Sequence, residues 1–381
     1  MDLILGIIIG IIVLVILVAV HELGHGIVAR RNGVVLEEFG IGFPPRAWGK
    51  KLKNGVLFTI NWLPLGGFVR LQGEHDAADK KGDYGAATYW QKTKILLAGV
   101  LVNWVVAAFL FALLALFGLP KIIPNQFSVP GDTHQVSAPV ALSSVVKDFP
   151  AAQAGLKNGD FIISVNGEKI DSVDEFITLS KENRGKTVPV EYTRGEDAAV
   201  EKTNVAFRDT NGATFGSTLS QKQLIRATWS APIVGIVTTG QFTWVTVQGL
   251  GQLASDFVSG LVLRFSPDEN TRKQADVNLE AAGNSVAGPI GILGTIFPAA
   301  SKAGPIEVLF LAAIISLTLA VMNTLPIPAL DGGRWFVMTL YKIRKKKLTK
   351  EKEEKIQAIG FSSLMLLILV ITIADVTKLF K

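Results

Sequence analysis

The chain has no cysteine and little charge: Asp, Glu, Lys and Arg make up 18% of its 381 residues. Without Cys there is no disulfide and no thiolate metal ligand, although this leaves the compartment open. So little charge, in a chain that is 49% hydrophobic, excludes an ordinary soluble protein. It suits a polytopic membrane protein with an aqueous domain. The N-terminus lacks a basic segment and a small-residue cleavage site. Its apolar run therefore reads as a retained membrane helix and not a signal peptide. There is no internal repeat, which weakens a transporter built from inverted halves. The net charge of +6 is concentrated rather than spread. Lys and Arg gather in 30–94 and 342–355, which read as cytoplasmic loops and not as a nucleic-acid surface.

What the chain does have starts at its first apolar run, Leu3–Val20, close to the roughly 20 residues a membrane core requires. The run passes directly into His21-Glu22-Leu23-Gly24-His25. On a helix, His21 and His25 are one turn apart and can hold one zinc ion. Glu22 lies beside them, where a carboxylate can take a proton from zinc-activated water. Two His and a Glu at the edge of a hydrocarbon-length helix are costly to place, which marks them as functional. Arg30 and Arg31 follow, so this end is expected to be cytoplasmic.

Four transmembrane helices are expected. The segments are 1–30 with the His-Glu motif, 95–120, 286–333 with a broken third helix, and 359–378. Residues 31–94 form a loop on the cytoplasmic side. It carries a β-hairpin in which Gly55–Trp62 and Phe68–Gln72 flank a turn at Leu63–Gly67. Residues 334–358 form a second basic loop. Residues 226–265, rich in Thr, Gln and Gly, read as an interfacial amphipathic helix and not a fifth span. Phe149-Pro-Ala-Ala-Gln-Ala-Gly-Leu-Lys-Asn-Gly-Asp160, then Ile162-Ile-Ser-Val-Asn-Gly-Glu-Lys-Ile170, resembles the core of a bacterial-protease PDZ domain. An inserted α+β PDZ domain is therefore expected over 136–212, with a hairpin turn at Asn166-Gly167. PDZ domains hold peptides by strand addition.

A catalytic zinc wants three protein ligands and one open position. The candidates for the third are Asp331, Glu74, His75 and Asp76. Asp331 follows a full apolar span and precedes a basic stretch, which brings it to the face where His21 and His25 lie. The argument holds only if 227–255 does not cross the bilayer. Asn103, the strongest polar interruption of the second span, is expected to hydrogen-bond to another helix.

These features together, with Leu65-Gly66-Gly67-Phe68-Val69-Arg70-Leu71, Gly288-Pro-Ile, and Asn323-Thr-Leu-Pro-Ile-Pro-Ala-Leu-Asp331-Gly, resemble the site-2 protease family of intramembrane zinc metalloproteases. The bacterial branch that cleaves anti-sigma factors is the nearer likeness. The resemblance implies one zinc ion held by His21, His25 and Asp331, with Glu22 as general base. It implies that Asn323, Gly66, Gly67 and Phe68 help hold an unwound substrate. It also implies a multi-pass protein of the bacterial plasma membrane, with its site near the cytoplasmic face and its PDZ domain outside. The expected substrates are single-span membrane proteins, anti-sigma factors or signal-peptide remnants, after a first cut outside the cytoplasm. The best-known member of that branch has tandem PDZ domains, and this chain has one. The competing reading is a catalytically inactive, membrane-anchored PDZ scaffold. The sequence sets no oligomeric state.

Overall fold

The computed structural model describes residues 2–195, 198–210 and 214–379. The expected PDZ boundary at 212, the positions 196–197 and 211 within it, and the first residue of the first expected segment lie outside the described residues. The chain divides into two compact units, Met1–Leu114 with Pro232–Lys381, and Ala115–Ala231.

The first unit opens on helix α1 (Asp2–Arg31). Its apolar residues give it no polar face, so much of its surface suits lipid, and glycines among its buried residues let neighbouring elements approach closely. A Cβ on Gly24 would lie 3.0 Å from the Ala98 carbonyl oxygen, which measures how closely the next long helix approaches. Strands β1 (Leu36–Lys51) and β2 (Leu57–Leu71) follow. Their pairing corrects the expected hairpin. Gly40 has both Phe68 and Thr59 as partners, and Ile41 has both Gly67 and Ile60. The first part of β1 therefore lies between the two stretches of β2 that were expected to pair with each other. Lys50, from the second part of β1, pairs with Phe58. The physical reason is aromatic packing: Phe39 stacks on Phe58 with centroids 6.0 Å apart, and the Phe68 ring covers Gly40 where a Cβ would sit 2.4 Å from it. Gly67–Leu71 is left as an edge among the described residues.

Helix α2 (Tyr89–Phe117) starts six residues before the expected boundary at 95. The second unit then begins with β3 (Leu119–Pro120), β4 (His134–Ser137) and β5 (Val140–Val145). A short helix α3 (Pro150–Gln153), β6 (Phe161–Val165) and β7 (Glu168–Lys169) follow. Next come helix α4 (Val173–Glu182), β8 (Thr187–Thr193), β9 (Val200–Ala206), β10 (Ser217–Ser220) and β11 (Gln223–Arg226). The main sheet has the order β10-β5-β6-β8-β9 with β7 on β6, and a small sheet has the order β3-β11-β4. Alternation of apolar residues along β5, β6 and β8 buries Val140, Leu142, Ile162, Val165 and Val190 against Phe176 and Phe215. Asn166-Gly167 makes the tight turn between β6 and β7 with both φ positive, 54° and 83°. A capping box at Ser172 and Glu175 starts α4. The unit is wider than 136–212 because Leu119–Pro120 pairs with Leu224–Ile225 at its base.

Helix α5 (Ala231–Leu263) returns to the first unit. It corrects the expectation of an amphipathic helix. Phe242 stacks on Phe111, and Trp104 donates to Thr243 at 3.2 Å, yet Ile236, Trp244, Val247 and Val258 on the same helix are exposed. Apolar residues occupy its packed and unpacked sides alike. Helix α6 (Glu269–Asn284) is polar and packs beside it, with Asn278 bonded to Ser259. The stretch after Gly288 is helical: α7 (Pro289–Gly291), a π-helical turn (Ile292–Ile296) and α8 (Phe297–Ala303). Phe297 and Pro298 pack on Gly10 and Gly6 of α1.

Helix α9 (Pro305–Thr324) leads through Pro326 and Pro328 into α10 (Asp331–Ile343) and α11 (Lys350–Leu379). The expected loop over 334–358 is thus mostly helix, with only 344–349 between α10 and α11. Alternating Lys and Glu in 350–355 make the i,i+4 pairs that support a charged first turn, as at Lys350 and Glu354. Among the described residues, four helices, α1, α2, α9 and α11, are long and apolar enough to cross a membrane. Helix α5, at 33 residues, is not among them, because Thr, Gln and Gly dilute it.

Candidate metal centre and catalytic site

Two elements far apart in sequence supply the cluster. On α1, the i,i+4 spacing turns His21 and His25 toward the same side, and both are buried. The carboxylate of Asp331 comes from the first residue of α10. His21 Nε2 and His25 Nε2 lie 3.1 and 3.2 Å from Asp331 Oδ2, and 3.2 Å from each other. A tetrahedral ion with bonds of about 2.0–2.1 Å sets its ligand atoms about 3.3 Å apart. The three atoms are therefore spaced as ligands of one small cation, and the donor set of two imidazoles and a carboxylate suits zinc. Among the described residues, this is the group of His, Asp and Glu atoms close enough to hold a metal.

Backbone contacts bring Asp331 there. Ala329 holds a positive φ of 78°, a conformation that non-glycine residues rarely adopt. Its N–H donates to Gln357 of α11 at 2.6 Å. Gly332 and Gly333 press on the carbonyls of Thr324 and Ile327, where a Cβ would sit 2.3 and 1.9 Å away. Gly360 packs equally closely on the Pro328 carbonyl. The two prolines break α9, and three glycines let the next two helices close on the break.

The imidazoles are oriented from α2. His25 Nδ1 donates to the Ile95 carbonyl at 2.7 Å, which leaves Nε2 with its lone pair toward the cluster. His21 Nδ1 faces the side-chain amide of Asn103 at 3.3 Å. Asn103 is fully buried and its Oδ1 has no other partner, so the amide can present that oxygen to an Nδ1–H. The expected interhelical bond of Asn103 is made, and to a candidate ligand. Gly99, one turn earlier on α2, was missed. A Cβ there would meet His25 Nε2 at 2.4 Å and His21 Cε1 at 2.6 Å. A glycine has no side chain to announce a role; its spacing of four from Asn103 on one helix face was the available signal.

Glu22 and His25 share a cavity of about 450 Å³ with Asp331, Phe68 and Arg334. Gly67 borders Glu22 directly, at 3.7 Å from a Cβ to the Glu22 Cγ. Gly66 packs on the Phe43 ring. Asn323 is not brought to the cavity: its amide donates to the Leu319 carbonyl of its own helix at 3.0 Å. The other candidate ligands are engaged elsewhere. Glu74 accepts from Arg334 at 2.9 Å, Asp76 pairs with Lys92, and His75 lies 4.0 Å from Glu354. Arg334 was also missed. It bridges Glu74 and Glu353 and lies over the Tyr84 ring at 4.6 Å, which ties α10, the loop after β2 and α11 together. Burial tends to lower its pKa, but the neighbouring phenol and carboxylates outweigh that and hold it above the ordinary arginine value.

The profile of Peptidase family M50 matches residues 9–367. The chain belongs to this family, the site-2 proteases. A putative zinc metalloprotease of Clostridium perfringens is 31% identical over 360 residues, which cover 94% of this chain and 95% of that one. The regulator of sigma-W protease RasP of Bacillus subtilis is 28% identical and covers 96% of both chains. The probable protease eep of Enterococcus faecalis is 25% identical over 97% of this chain and 98% of its own. Among solved structures, the PDZ domain of an SdrC-like protein of Listeria monocytogenes is 28% identical. It covers 24% of this chain and 93% of its own, with a TM-score of 0.19. The M50 protein described here is a zinc metalloprotease with several membrane-length helices.

Proposed function

We propose that this M50 protein is an intramembrane endopeptidase that cuts single-span membrane proteins, anti-sigma factors or signal-peptide remnants, after a first cut outside the cytoplasm. The observation that supports this most directly is the convergence of His21, His25 and Asp331 at 3.1–3.2 Å, with Glu22, His25 and Asp331 lining one cavity. In this reading His21, His25 and Asp331 hold the zinc. When bound, the ion would act as a Lewis acid, lowering the pKa of water toward about 7 and polarising a carbonyl. Glu22 takes a proton from the water and returns one to the departing amine. Water is thereby divided across the C–N bond, hydroxyl to the carbonyl carbon and hydrogen to nitrogen.

A helical substrate hides its carbonyls in its own hydrogen bonds. The Gly67–Leu71 edge, paired with β1 on one side, leaves its other side for an extended segment, next to Glu22. The basic loops favour a cytoplasmic position for the site and an extracytoplasmic one for the PDZ-like unit, which would screen substrates by size or read a new C-terminus.

The test is zinc content by atomic emission together with cleavage of a single-span substrate. Glu22→Gln is expected to keep zinc and lose hydrolysis, and Asp331→Ala to lose both. A fully active Glu22→Gln enzyme sinks the base assignment, and unchanged zinc in Asp331→Ala sinks the ligand assignment. The inactive scaffold fails once the wild-type protein, with zinc bound, cleaves.

A further inference from the structure

Beyond the catalytic cavity, α10 reaches a second and larger one of about 960 Å³. It lies where the C-terminal end of α10 meets the N-terminal ends of α2 and α11. Its lining is rich in lysine: Lys92, Lys342, Lys346, Lys347 and Lys350, against Asp76, Asp79 and Glu351. Two of these charges are already engaged, since Lys92 pairs with Asp76 and Lys350 lies 3.8 Å from Glu354. Lys342, Lys346 and Lys347 have no carboxylate within ion-pair distance among the described residues. Lys342 instead sits over the Tyr89 ring at 3.5 Å.

The backbone adds to this positive field. Thr349 just before α11, Lys350 and Glu351 at its start, and Tyr89 of α2 border the same space, and the N-terminal ends of long helices favour anions. The flanks are apolar and aromatic. Met338, Leu348 and Tyr341 line the cavity. Trp90 and Ile343 beside it are 68% and 73% exposed. Positive charge beside exposed aromatic and aliphatic groups, at the ends of membrane-length helices, is the chemistry of a lipid–water boundary. It is poorer chemistry for a fully solvated anion.

We propose that this cavity binds the phosphate of an anionic phospholipid head group and that the lipid braces the helix carrying Asp331. Asp331 and Lys342 stand at opposite ends of α10, about 16 Å apart at 1.5 Å per residue. Helix α10 is fastened to α2 near the lysine end, where Tyr89 and Thr339 share a hydrogen bond of 3.0 Å and Trp335 donates to Thr93 at 3.2 Å. Helix α2 also carries Ile95, Gly99 and Asn103, the groups that border the imidazoles. A head group on Lys342, Lys346 and Lys347 joins the last turn of α10 to the 344–349 connection that leads into α11. It thereby steadies the far end of the helix that Asp331 begins.

The experiment uses the full chain in phosphatidylcholine nanodiscs containing a minor fraction of phosphatidylglycerol, with retained lipid counted by native mass spectrometry. Wild type is expected to retain phosphatidylglycerol in preference to phosphatidylcholine. Each lysine near an anionic membrane surface is worth about a fivefold factor, so Lys342→Gln should lower retention about fivefold. The triple variant Lys342→Gln, Lys346→Gln, Lys347→Gln should lower it about a hundredfold. The corresponding triple arginine variant should retain the lipid. Lys50→Gln, Lys51→Gln, Lys53→Gln removes as much charge from exposed positions elsewhere and should also retain it. Equal retention by the glutamine variants overturns the site. Equal loss in the Lys50 set shows a general basic surface and also overturns it. Displacement by excess inorganic phosphate identifies a soluble anion and overturns the lipid assignment. All of these readouts are independent of proteolysis.

Discussion

Replacing Gly99 with alanine tests how the centre is held without touching any of its candidate ligands. The added methyl would lie 2.4 Å from His25 Nε2 and 2.6–2.7 Å from two atoms of the His21 ring. Ordinary contact needs about 3.5 Å, so the rings must retreat by about 1 Å. Metal–ligand distances tolerate only about 0.2 Å, so the displacement is about five times what the centre can absorb. A misplacement of about 1 Å costs about a hundredfold in rate. Stability should change far less: overpacking costs about 1–3 kcal/mol, and alanine returns about 1 kcal/mol of helix propensity. The matched control is Gly240→Ala in α5, where a Cβ meets nothing within 4 Å. The assay compares zinc stoichiometry, cleavage rate and melting temperature in detergent. Gly99→Ala should lose zinc and at least about a hundredfold in rate while melting near the wild type, and Gly240→Ala should match wild type in zinc and rate. Wild-type zinc content and rate in Gly99→Ala would refute the reasoning.

Asn103→Ala should weaken zinc binding by about 10–100-fold, read by competition with a chelating dye, because His21 Nδ1 loses its partner. Arg334→Met leaves Glu74 and Glu353 facing each other without a cation. Unfolding should become easier by about 2–4 kcal/mol, measured by denaturant titration, with charge-neutral Glu353→Gln recovering part of it. In the second unit, the hydroxyls of Ser230 and Thr228, followed by their backbone N–H groups, hold the Asp132 carboxyl well below the usual carboxylate range. Its contribution to stability is complete above its ordinary value of 3.8 and is lost as pH falls from there through the folded value. Wild type should therefore lose melting temperature on acidification below that point, and Asp132→Asn should show a shallower slope with a lower plateau near neutrality.

The centre was legible because its parts carry strong local signals. His21 and His25 repeat at helical spacing after an apolar run, and counting membrane crossings brought Asp331 to their face. Four membrane-length apolar helices among the described residues were readable from length and polarity alone. Pairing between distant segments was not. Leu36–Ile41 enters between two stretches of β2 because Phe39 and Gly40 match aromatic partners far along the chain, and adjacency in sequence suggested a simpler hairpin. The helices within 334–358 were hidden by lysines, whose charge reads as loop although their alternation with glutamate supports a helix. Helix α5 misled in the opposite direction. Its threonines suggested a polar face, yet several of their hydroxyls bond back to their own helix, as Thr239 does to Gly235 and Thr243 to Thr239, and present little polarity outward.

The three glycines around the proline break have a consequence for how the family can vary. Asp331 is located by main chain resting on main chain, through Gly332, Gly333 and Gly360, to which the side chains of Gln357 and Arg334 add their ties. Its distance from the two histidines is therefore set by the thickness of a peptide backbone. Residues of α10 and α11 away from these ties can change without moving the carboxylate, whereas a single methyl at any of the three glycine contacts would separate the halves of the centre.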